Sequence, residues 1–210
     1  MNHEFWHNAW AKSEKPGWQQ DQANPALVKF WKPDSSTVFV PLCGRSPDLT
    51  WLHEQGHQVI GVDLSESAIR RFLEVGGQQF SVASIDHFTV YRADGYTLYA
   101  GDYFSLTGAQ LRSVSWVYDR AALVALPGDM RPHYAAHLQR IVPADSRLLM
   151  NLVSYDQAQM DGPPFSVPET EMRQYFEQRY QIEVLQQHDS DLKHRGLQHL
   201  VDTTYRLTPV

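Results

Sequence analysis

Short apolar runs alternate with segments of helical periodicity along most of the chain. Residues 37–41 (TVFVP) and 114–118 (VSWVY) are too short for helices and rich in β-branched and aromatic side chains, which is typical of buried strands. Residues 65–76 instead place apolar side chains at helical spacing. The alternation predicts an α/β domain with a mostly parallel sheet. The further predicted strands are 57–63, 148–154, 182–187 and 197–207, and the further predicted helices are 25–31, 47–55, 121–126, 129–141 and 169–180.

Three segments interrupt this regular alternation. Residues 88–91 and 97–100 flank an Asp-Gly pair at 94–95, which predicts a β-hairpin with a type I′ turn. The last two predicted strands have the apolar alternation of an antiparallel pair. Residues 155–167 form a long loop with Gly-Pro-Pro at 162–164, for which a lid and a stiff surface loop are the two interpretations.

Residues 38–63 combine a strand, a tight turn, a helix and a second strand that ends in an acid. Gly44 supplies the bend, because glycine adopts positive φ without steric cost. Ser46 is the expected N-cap of the helix, and Gly56 is its expected C′ residue. Asp63 lies 19 positions after Gly44, close to the roughly 20 at which nucleotide-binding βαβ units place a ribose-binding carboxylate. The stretch therefore predicts a nucleoside-binding unit.

The turn lacks the glycines of a dinucleotide-binding motif, which limits the kind of nucleoside that it could bind. A dinucleotide site requires G-x-G-x-x-G so that the backbone can approach a pyrophosphate, whereas Gly44 is followed here by Arg45 and Ser46. A phosphate loop of the G-x-x-x-x-G-K type is missing as well. A ligand with adenosine but no phosphates fits better, which predicts S-adenosylmethionine as cofactor. Asp63 has a second interpretation, as a turn acid that caps the next helix through Ser65.

Composition limits the class of protein. At 210 residues with 42% hydrophobic residues and six tryptophans, one domain spanning residues 1–210 is expected. The net charge of −6 favours neither nucleic acid nor an anionic membrane as partner. The single cysteine and the lack of a signal-peptide pattern at the N-terminus favour the cytoplasm. We expect a monomer that acts on a small molecule.

The segment before the first strand is unusually aromatic. Phe5, Trp6 and Trp10 lie on one face of a predicted helix. Residues 1–33 are therefore expected to form a helical segment ahead of a core at 34–210. That segment either packs on the sheet or folds over the cofactor as a lid.

Four stretches of the sequence carry a resemblance to a known family. They are FWHNAW at 5–10, VFVPLCGRSPDLTWLHEQGHQVIGVDLS at 38–65, WVYDRAALVALPGDMRPHYA at 116–135 and SYDQAQMDGPPFSVP at 154–168. Together they resemble the thiopurine S-methyltransferase family, especially its bacterial members. The resemblance implies a class I, Rossmann-like methyltransferase fold, in which helices cover both faces of a seven-stranded, mostly parallel sheet with an antiparallel last strand. It also implies methyl transfer from S-adenosylmethionine to the sulfur of aromatic and heterocyclic thiols such as thiopurines. An alternative from bacterial members is methylation of selenium and tellurium species in metalloid detoxification.

The resemblance also implies functional residues by position. The family holds adenine at Asp102 and Tyr103, and Trp18 corresponds to a substrate contact. Two substitutions depart from the family pattern, since Asp63 replaces a longer glutamate and Ala121 replaces a glycine. In addition, the segment between Trp10 and Trp18 is one residue longer than in the family pattern. The implied cofactor-binding residues are Trp10, Leu42, Gly44, Asp63, Asp102, Tyr103 and Arg120.

Methyl transfer from a sulfonium requires alignment of the reacting atoms more than it requires a strong base. Arg120 is the candidate to bind the acceptor anion, and Asp119 is the candidate to orient Arg120 or accept a proton. Cys43 has no identifiable partner base, so packing is preferred over a nucleophilic role. His133 and His137 lack the glutamate of a zinc-binding helix, so no metal is expected.

Two other functions stay open at this point. A nicotinamide oxidoreductase would share the βαβ unit, but it needs the glycines that this sequence lacks. A non-catalytic S-adenosylmethionine-binding protein would be favoured if Asp119 and Arg120 were absent, and both are present.

Overall fold

The computed structural model describes residues 19–32, 35–190, 197 and 199–210. The chain divides into two compact units, residues 2–114 and 115–210, each with its own strands and helices. Trp10, Trp18 and most of the predicted N-terminal segment lie outside the described residues. No helix in the described ranges is long and apolar enough to cross a membrane.

Parallel pairing dominates the centre of the first unit. Its strands run in the order β3-β4-β5-β2-β1, and β2 pairs in parallel with both β1 and β5. An antiparallel hairpin of β3 and β4 joins the outer side of β5. The elements in chain order are α1 (Pro25–Phe30), β1 (Thr37–Pro41), α2 (Pro47–Glu54), β2 (Gln58–Asp63), α3 (Glu66–Val75), β3 (Phe80–Ile85), β4 (Phe88–Ala93), β5 (Tyr96–Ala100) and α4 (Gly108–Leu111).

The second unit begins with one parallel pair and ends with antiparallel strands. Its order is β6-β7-β9-β8, with β6 parallel to β7 and β9 antiparallel to both of its neighbours. The predicted antiparallel ending is therefore confirmed. The elements are β6 (Trp116–Arg120), α5 (Arg131–Ile141), β7 (Arg147–Ser154), α6 (Glu169–Phe176), β8 (Tyr180–Ser190) and β9 (Leu200–Pro209).

The α/β class is confirmed, but the strand count differs from the expected seven, since the described residues form nine strands. The hairpin of β3 and β4 accounts for the excess. Most side chains of β3, which has the sequence FSVASI, are exposed, so the strand lacks the alternation of buried and exposed positions that would reveal it. An edge strand that buries neither face leaves little signal in the sequence.

Two local predictions were wrong. A type I′ turn requires positive φ at both of its central residues. Between β4 and β5, Gly95 has φ of +73° but Asp94 does not have positive φ, so the turn is of another type. The predicted helix at 121–126 is reduced to a short 3₁₀ turn at Leu123–Ala125, since Ala121 adopts φ of +61° and interrupts helical geometry.

A buried histidine ties the end of α1 to the start of β2. His57 is 1% exposed, and the indole Nε1–H of Trp31 donates to its Nε2 at 2.9 Å. Ser36 faces the other ring nitrogen, since its backbone nitrogen lies 3.2 Å and its Oγ lies 3.0 Å from Nδ1. Burial lowers the pKa of His57 from its ordinary 6.5.

We predict that this contact makes stability depend on pH. A histidine whose pKa is lowered by folding contributes stability that is present above its unfolded pKa, and it loses that contribution as the pH falls through 6.5. Urea unfolding at about pH 7.5 and about pH 5.5 should show a larger loss for the wild type than for His57→Gln.

His133 provides the matched control, because its side chain is exposed. His133→Gln should keep the wild-type dependence on pH. An identical loss of stability in the wild type and in His57→Gln would contradict the assignment.

Candidate functional site

The turn after β1 holds two residues in the left-handed region of backbone conformation. Gly44 has φ of +50°, which confirms the predicted bend, and Leu42 has φ of +47°. A non-glycine residue in the left-handed region costs about 1–2 kcal/mol, so neighbouring contacts must hold the turn in place. One of these contacts is the Cys43 N–H, which donates to Val62 O at 2.9 Å.

Asp63 provides the strongest of these contacts. At the end of β2, its Oδ2 accepts the Gly44 N–H at 2.8 Å and its Oδ1 accepts the Ser65 N–H at 2.8 Å. The carboxylate therefore joins the turn after β1 to the start of α3, where Ser65 is the N-cap as predicted. A carboxylate can accept about four hydrogen bonds, so holding these two amides is compatible with binding a ribose hydroxyl. The structure shows the contact expected of a turn acid, and the ribose-binding role stays a prediction.

Cys43 packs against β2. A Cβ added at Gly61 would lie 2.8 Å from Cys43 Sγ and 2.8 Å from Leu98 Cδ2, so glycine is needed there for close approach. Burial, followed by the nearby charge of Asp63, raises the pKa of the Cys43 thiol well above its ordinary value. The thiol is buried and stays protonated, which agrees with a packing role.

Asp102 and Tyr103 follow β5, the other parallel neighbour of β2. The Asp102 carboxylate accepts the Phe104 N–H at 2.9 Å and caps a 3₁₀ turn, and Tyr103 is 2% exposed. The Gly101 N–H donates to Asp63 O at 2.9 Å, which links the end of β5 to Asp63. Five of the predicted cofactor residues therefore come from the carboxyl ends of three neighbouring parallel strands, where α/β sheets bind ligands. They are Leu42, Gly44, Asp63, Asp102 and Tyr103.

Asp119 and Arg120, at the end of β6 in the second unit, point to opposite faces because strand residues alternate. Asp119 is 0% exposed, its Oδ2 accepts the Tyr134 hydroxyl at 2.7 Å, and its Oδ1 accepts the Leu123 N–H at 3.2 Å. Burial raises its pKa to about 6. These contacts show Asp119 joining the turn after β6 to α5, and no hydrogen bond between described residues joins it to Arg120. The catalytic role predicted for Asp119 stays a prediction.

Arg120 is the last residue of β6, and its side chain is partly exposed. Among the residues that the structure describes, no hydrogen bond or ion pair engages its guanidinium. An arginine at a strand end suits the recognition of an anionic ligand group. Its role as acceptor-binding and catalytic residue stays a prediction.

The loop at 155–167 is tied down at several points. The Tyr155 hydroxyl donates to Pro164 O at 2.6 Å, and the Phe165 N–H donates to Val124 O at 2.6 Å. Ser166 Oγ accepts the Tyr155 N–H at 2.9 Å. These bonds favour the stiff-loop interpretation over the lid. Phe165 thereby lies beside the turn that follows Arg120.

Arg131, which the sequence analysis did not single out, clamps this loop. It is 5% exposed and donates to Leu126 O at 2.9 Å, to Ser166 O at 2.9 Å and to both carboxylate oxygens of Glu171 at 2.8 Å. Its guanidinium also lies 5.8 Å from the centre of the Phe165 ring. Arg131 and Glu171 are 40 positions apart, so no local sequence pattern predicts their ion pair.

The histidines of α5 have ordinary roles. His133 is exposed, whereas His137 is buried and its Nδ1 lies 2.6 Å from Arg140 Nη2. Within the described part of the chain, no group of three or more His, Cys, Asp or Glu residues could hold a metal ion.

Ala121 yields a direct test of the turn that carries Arg120. We predict that Ala121→Gly raises the free energy of unfolding by about 0.5–1 kcal/mol, because it removes the left-handed penalty while adding backbone entropy to the unfolded state. Ala122, with φ of −97°, is the control, and Ala122→Gly should destabilise the protein. Denaturant melts compare the two, and equal destabilisation would contradict strain at Ala121.

Solved structures support the fold. A Burkholderia thailandensis structure described as 1,6-didemethyltoxoflavin-N1-methyltransferase with bound S-adenosylhomocysteine matches with a TM-score of 0.66 at 17% identity, covering 98% of this chain and 87% of that one. A structure described as a TehB-like S-adenosylmethionine-dependent methyltransferase from Corynebacterium glutamicum matches with a TM-score of 0.59 at 14% identity, covering 99% and 98%. At these identities the likeness shows the class I methyltransferase fold.

Sequence comparisons show the family. The model of the family described as thiopurine S-methyltransferase matches residues 1–209. The thiopurine S-methyltransferase of Pseudomonas fluorescens is 43% identical, covering 90% of this chain and 88% of the relative, and that of Azotobacter vinelandii is 40% identical, covering 99% of both. A probable thiopurine S-methyltransferase of Yarrowia lipolytica is 38% identical, covering 99% of this chain and all of the relative. This chain belongs to the thiopurine S-methyltransferase family.

Proposed function

We propose that this protein is an S-adenosylmethionine-dependent methyltransferase that methylates the sulfur of aromatic and heterocyclic thiols such as thiopurines. The observation that carries the proposal is the bond from the Gly44 N–H to Asp63, which joins the carboxylate to a turn that lacks the glycines a pyrophosphate needs. Family membership supports sulfur as the accepting atom. Metalloid methylation, non-catalytic binding and hydride transfer have no observation of their own in their favour.

The first unit offers donors and acceptors that fit S-adenosylmethionine. Asp63 would accept the ribose hydroxyls, and its orientation is already fixed by two backbone amides. Gly44 would leave room for the backbone to approach the amino-acid end of the cofactor. Asp102 and Tyr103 would hold the adenine from the end of β5. When bound, the cofactor supplies a methyl group that is activated by the positive charge of its sulfonium.

The second unit offers the acceptor contacts. Arg120 would bind the ionised thiol and hold its sulfur in line, which is the main requirement of this displacement. Heterocyclic thiols ionise readily, so their methylation needs no strong general base. Asp119 would support Arg120 indirectly by fixing the turn after β6 through Leu123 and Tyr134. Phe165, held by Arg131, would form part of an aromatic wall.

We further propose a cytoplasmic monomer with a small-molecule thiol as its partner. The single cysteine supports a reducing compartment. The net charge of −6 speaks against nucleic acid and anionic membranes as partners. Trp10 and Trp18 remain proposed contacts to the cofactor and the substrate, respectively, by their position in the family pattern.

A methylation screen tests the function. The protein is incubated with methyl-labelled S-adenosylmethionine and, separately, with thiopurines, simple aromatic thiols, selenite and tellurite. Labelled thioethers from the thiols are the expected product. Label on the metalloids alone would replace the proposal by the metalloid alternative, and no transfer to any acceptor would reject it.

We predict that Asp63→Ala weakens binding of S-adenosylhomocysteine by at least about tenfold, measured by calorimetry, because both the ribose contact and the Gly44 tether are lost. Glu66→Ala is the control, since Glu66 is a nearby acid whose carboxylate accepts from Tyr91 instead. Thermal melts of both variants establish that they are folded. Equal affinity of the wild type and Asp63→Ala would refute the assignment.

For the acceptor side, Arg120→Ala should lower kcat/KM for an ionised thiol by roughly 10- to 100-fold, because a charge-assisted contact is lost. Arg120→Lys should recover only part of this activity, since lysine lacks the planar fork. Arg147→Ala is the control, because Arg147 begins β7 and packs on Trp116 at 5.8 Å. Unchanged turnover and acceptor affinity in Arg120→Ala would exclude the role.

A further inference from the structure

Tyr134 on α5 brings its hydroxyl to the buried end of β6. The hydroxyl donates to Asp119 Oδ2 at 2.7 Å, and both residues are 0% exposed. In such a water-free environment, a hydroxyl that donates to a carboxylate favours the ionised form of the acid. Tyr134 therefore bears directly on whether Asp119 carries its charge.

The other oxygen of Asp119 holds the turn that follows Arg120. Its Oδ1 accepts the Leu123 N–H at 3.2 Å, at the start of a 3₁₀ turn whose N-cap, Ala122, provides no capping side chain. The same turn contains Ala121, which is strained at φ of +61°. An ionised acceptor binds a backbone amide more strongly than a neutral one does. The charge of Asp119 therefore helps to keep this strained turn, and the end of β6 before it, in place.

Burial works against this charge. It raises the pKa of Asp119 to about 6, whereas the hydrogen bonds from Tyr134 and from the backbone of Leu123 and Ala122 lower it. Within the described ranges, Tyr134 is the one titratable side chain that affects this acid. Tyr205, two strands away on the same face of the sheet, stays neutral because burial raises its pKa. Without the Tyr134 hydroxyl, Asp119 becomes neutral at a higher pH.

The charged and titratable neighbours of Tyr134 on α5 are engaged elsewhere. Arg131, one turn before it, forms an ion pair with Glu171 at 2.8 Å. His137, one turn after it, has its Nδ1 at 2.6 Å from Arg140 Nη2. The pairing of Tyr134 with the acid on β6 is therefore separate from the other polar contacts of this helix.

We infer that Tyr134 is a positioning residue for methyl transfer: its hydroxyl keeps Asp119 ionised, so that the carboxylate holds the turn after β6 and, through it, Arg120. This role requires no contact between Tyr134 and the reacting atoms. The inference rests on the proposed function, and it adds the group that sets the lower pH limit of activity.

Tyr134→Phe tests the role, because it removes the hydroxyl and keeps the ring. The measurement is kcat/KM against pH, from about pH 5.5 to about pH 9, which reports the essential ionisations of the free enzyme. The acceptor is 4-nitrobenzenethiol, which is acidic enough to stay ionised throughout. The wild type should lose activity as the pH falls through about 6, and Tyr134→Phe should lose it about one pH unit higher. Above about pH 8, where Asp119 is ionised in both, the two should agree within about twofold.

Tyr180→Phe is the matched control. Tyr180 is also buried, at 2% exposed, and its hydroxyl has no hydrogen-bond partner among the residues that the structure describes. This variant should keep the wild-type profile. Asp119→Asn, which cannot ionise, should abolish the effect of Tyr134→Phe when the two are combined. Thermal melts at about pH 8 establish that each variant is folded.

Three results would overturn the inference and leave the proposed function standing. They are a Tyr134→Phe profile that superimposes on that of the wild type, a loss of activity that persists at high pH, and an equal shift in Tyr180→Phe. An undiminished effect of Tyr134→Phe in the Asp119→Asn background would also overturn it, since Tyr134 would then act by another route. If the wild type methylates no thiol, the proposed function fails and takes the inference with it.

Discussion

The Asp63 carboxylate is the contact on which the rest of the first unit depends. It accepts hydrogen bonds from the backbone N–H groups of Gly44 and Ser65, and the backbone carbonyl of Asp63 accepts one from the Gly101 N–H. The ends of three parallel strands are therefore tied to one residue. Hydrogen bonds to a charged group contribute about 1.5–3 kcal/mol each, which exceeds the roughly 1–2 kcal/mol of left-handed strain at Leu42. The hydrogen bonds of Asp63 are thus strong enough to hold the turn after β1 in its strained conformation.

The second unit also has an aspartate at a strand end whose carboxylate accepts a backbone N–H, but this carboxylate is more deeply buried. Asp119 accepts the Leu123 N–H and the Tyr134 hydroxyl, but it is completely buried and its pKa rises to about 6. These hydrogen bonds join the turn after β6 to α5. Arg120, the next residue of β6, points to the opposite face of the strand. In both units an aspartate at a strand end holds the backbone of a neighbouring turn.

Features that depend on single residues could be predicted from the sequence, whereas contacts between distant residues could not. The bend at Gly44 and the cap at Ser65 follow from the conformational limits of single residues, so the sequence alone predicts them. The clamp of Arg131 on Glu171 joins residues 40 positions apart, and its partners are known only once the chain is folded. The hydrogen bonds from Asn151 to Asp202 and Thr204 likewise join residues 51 and 53 positions apart. Side-chain recognition across strands was therefore the part that sequence patterns missed.

The turn between Gly44 and Asp63 is proposed to bind a nucleoside without phosphates. Thermal shift of the wild-type protein with S-adenosylhomocysteine, NAD or ATP, each in large excess, tests this claim most directly, because a ligand that binds only the folded state raises the melting temperature. We predict a clear rise with S-adenosylhomocysteine and none with the other two. A rise with NAD alone would contradict it.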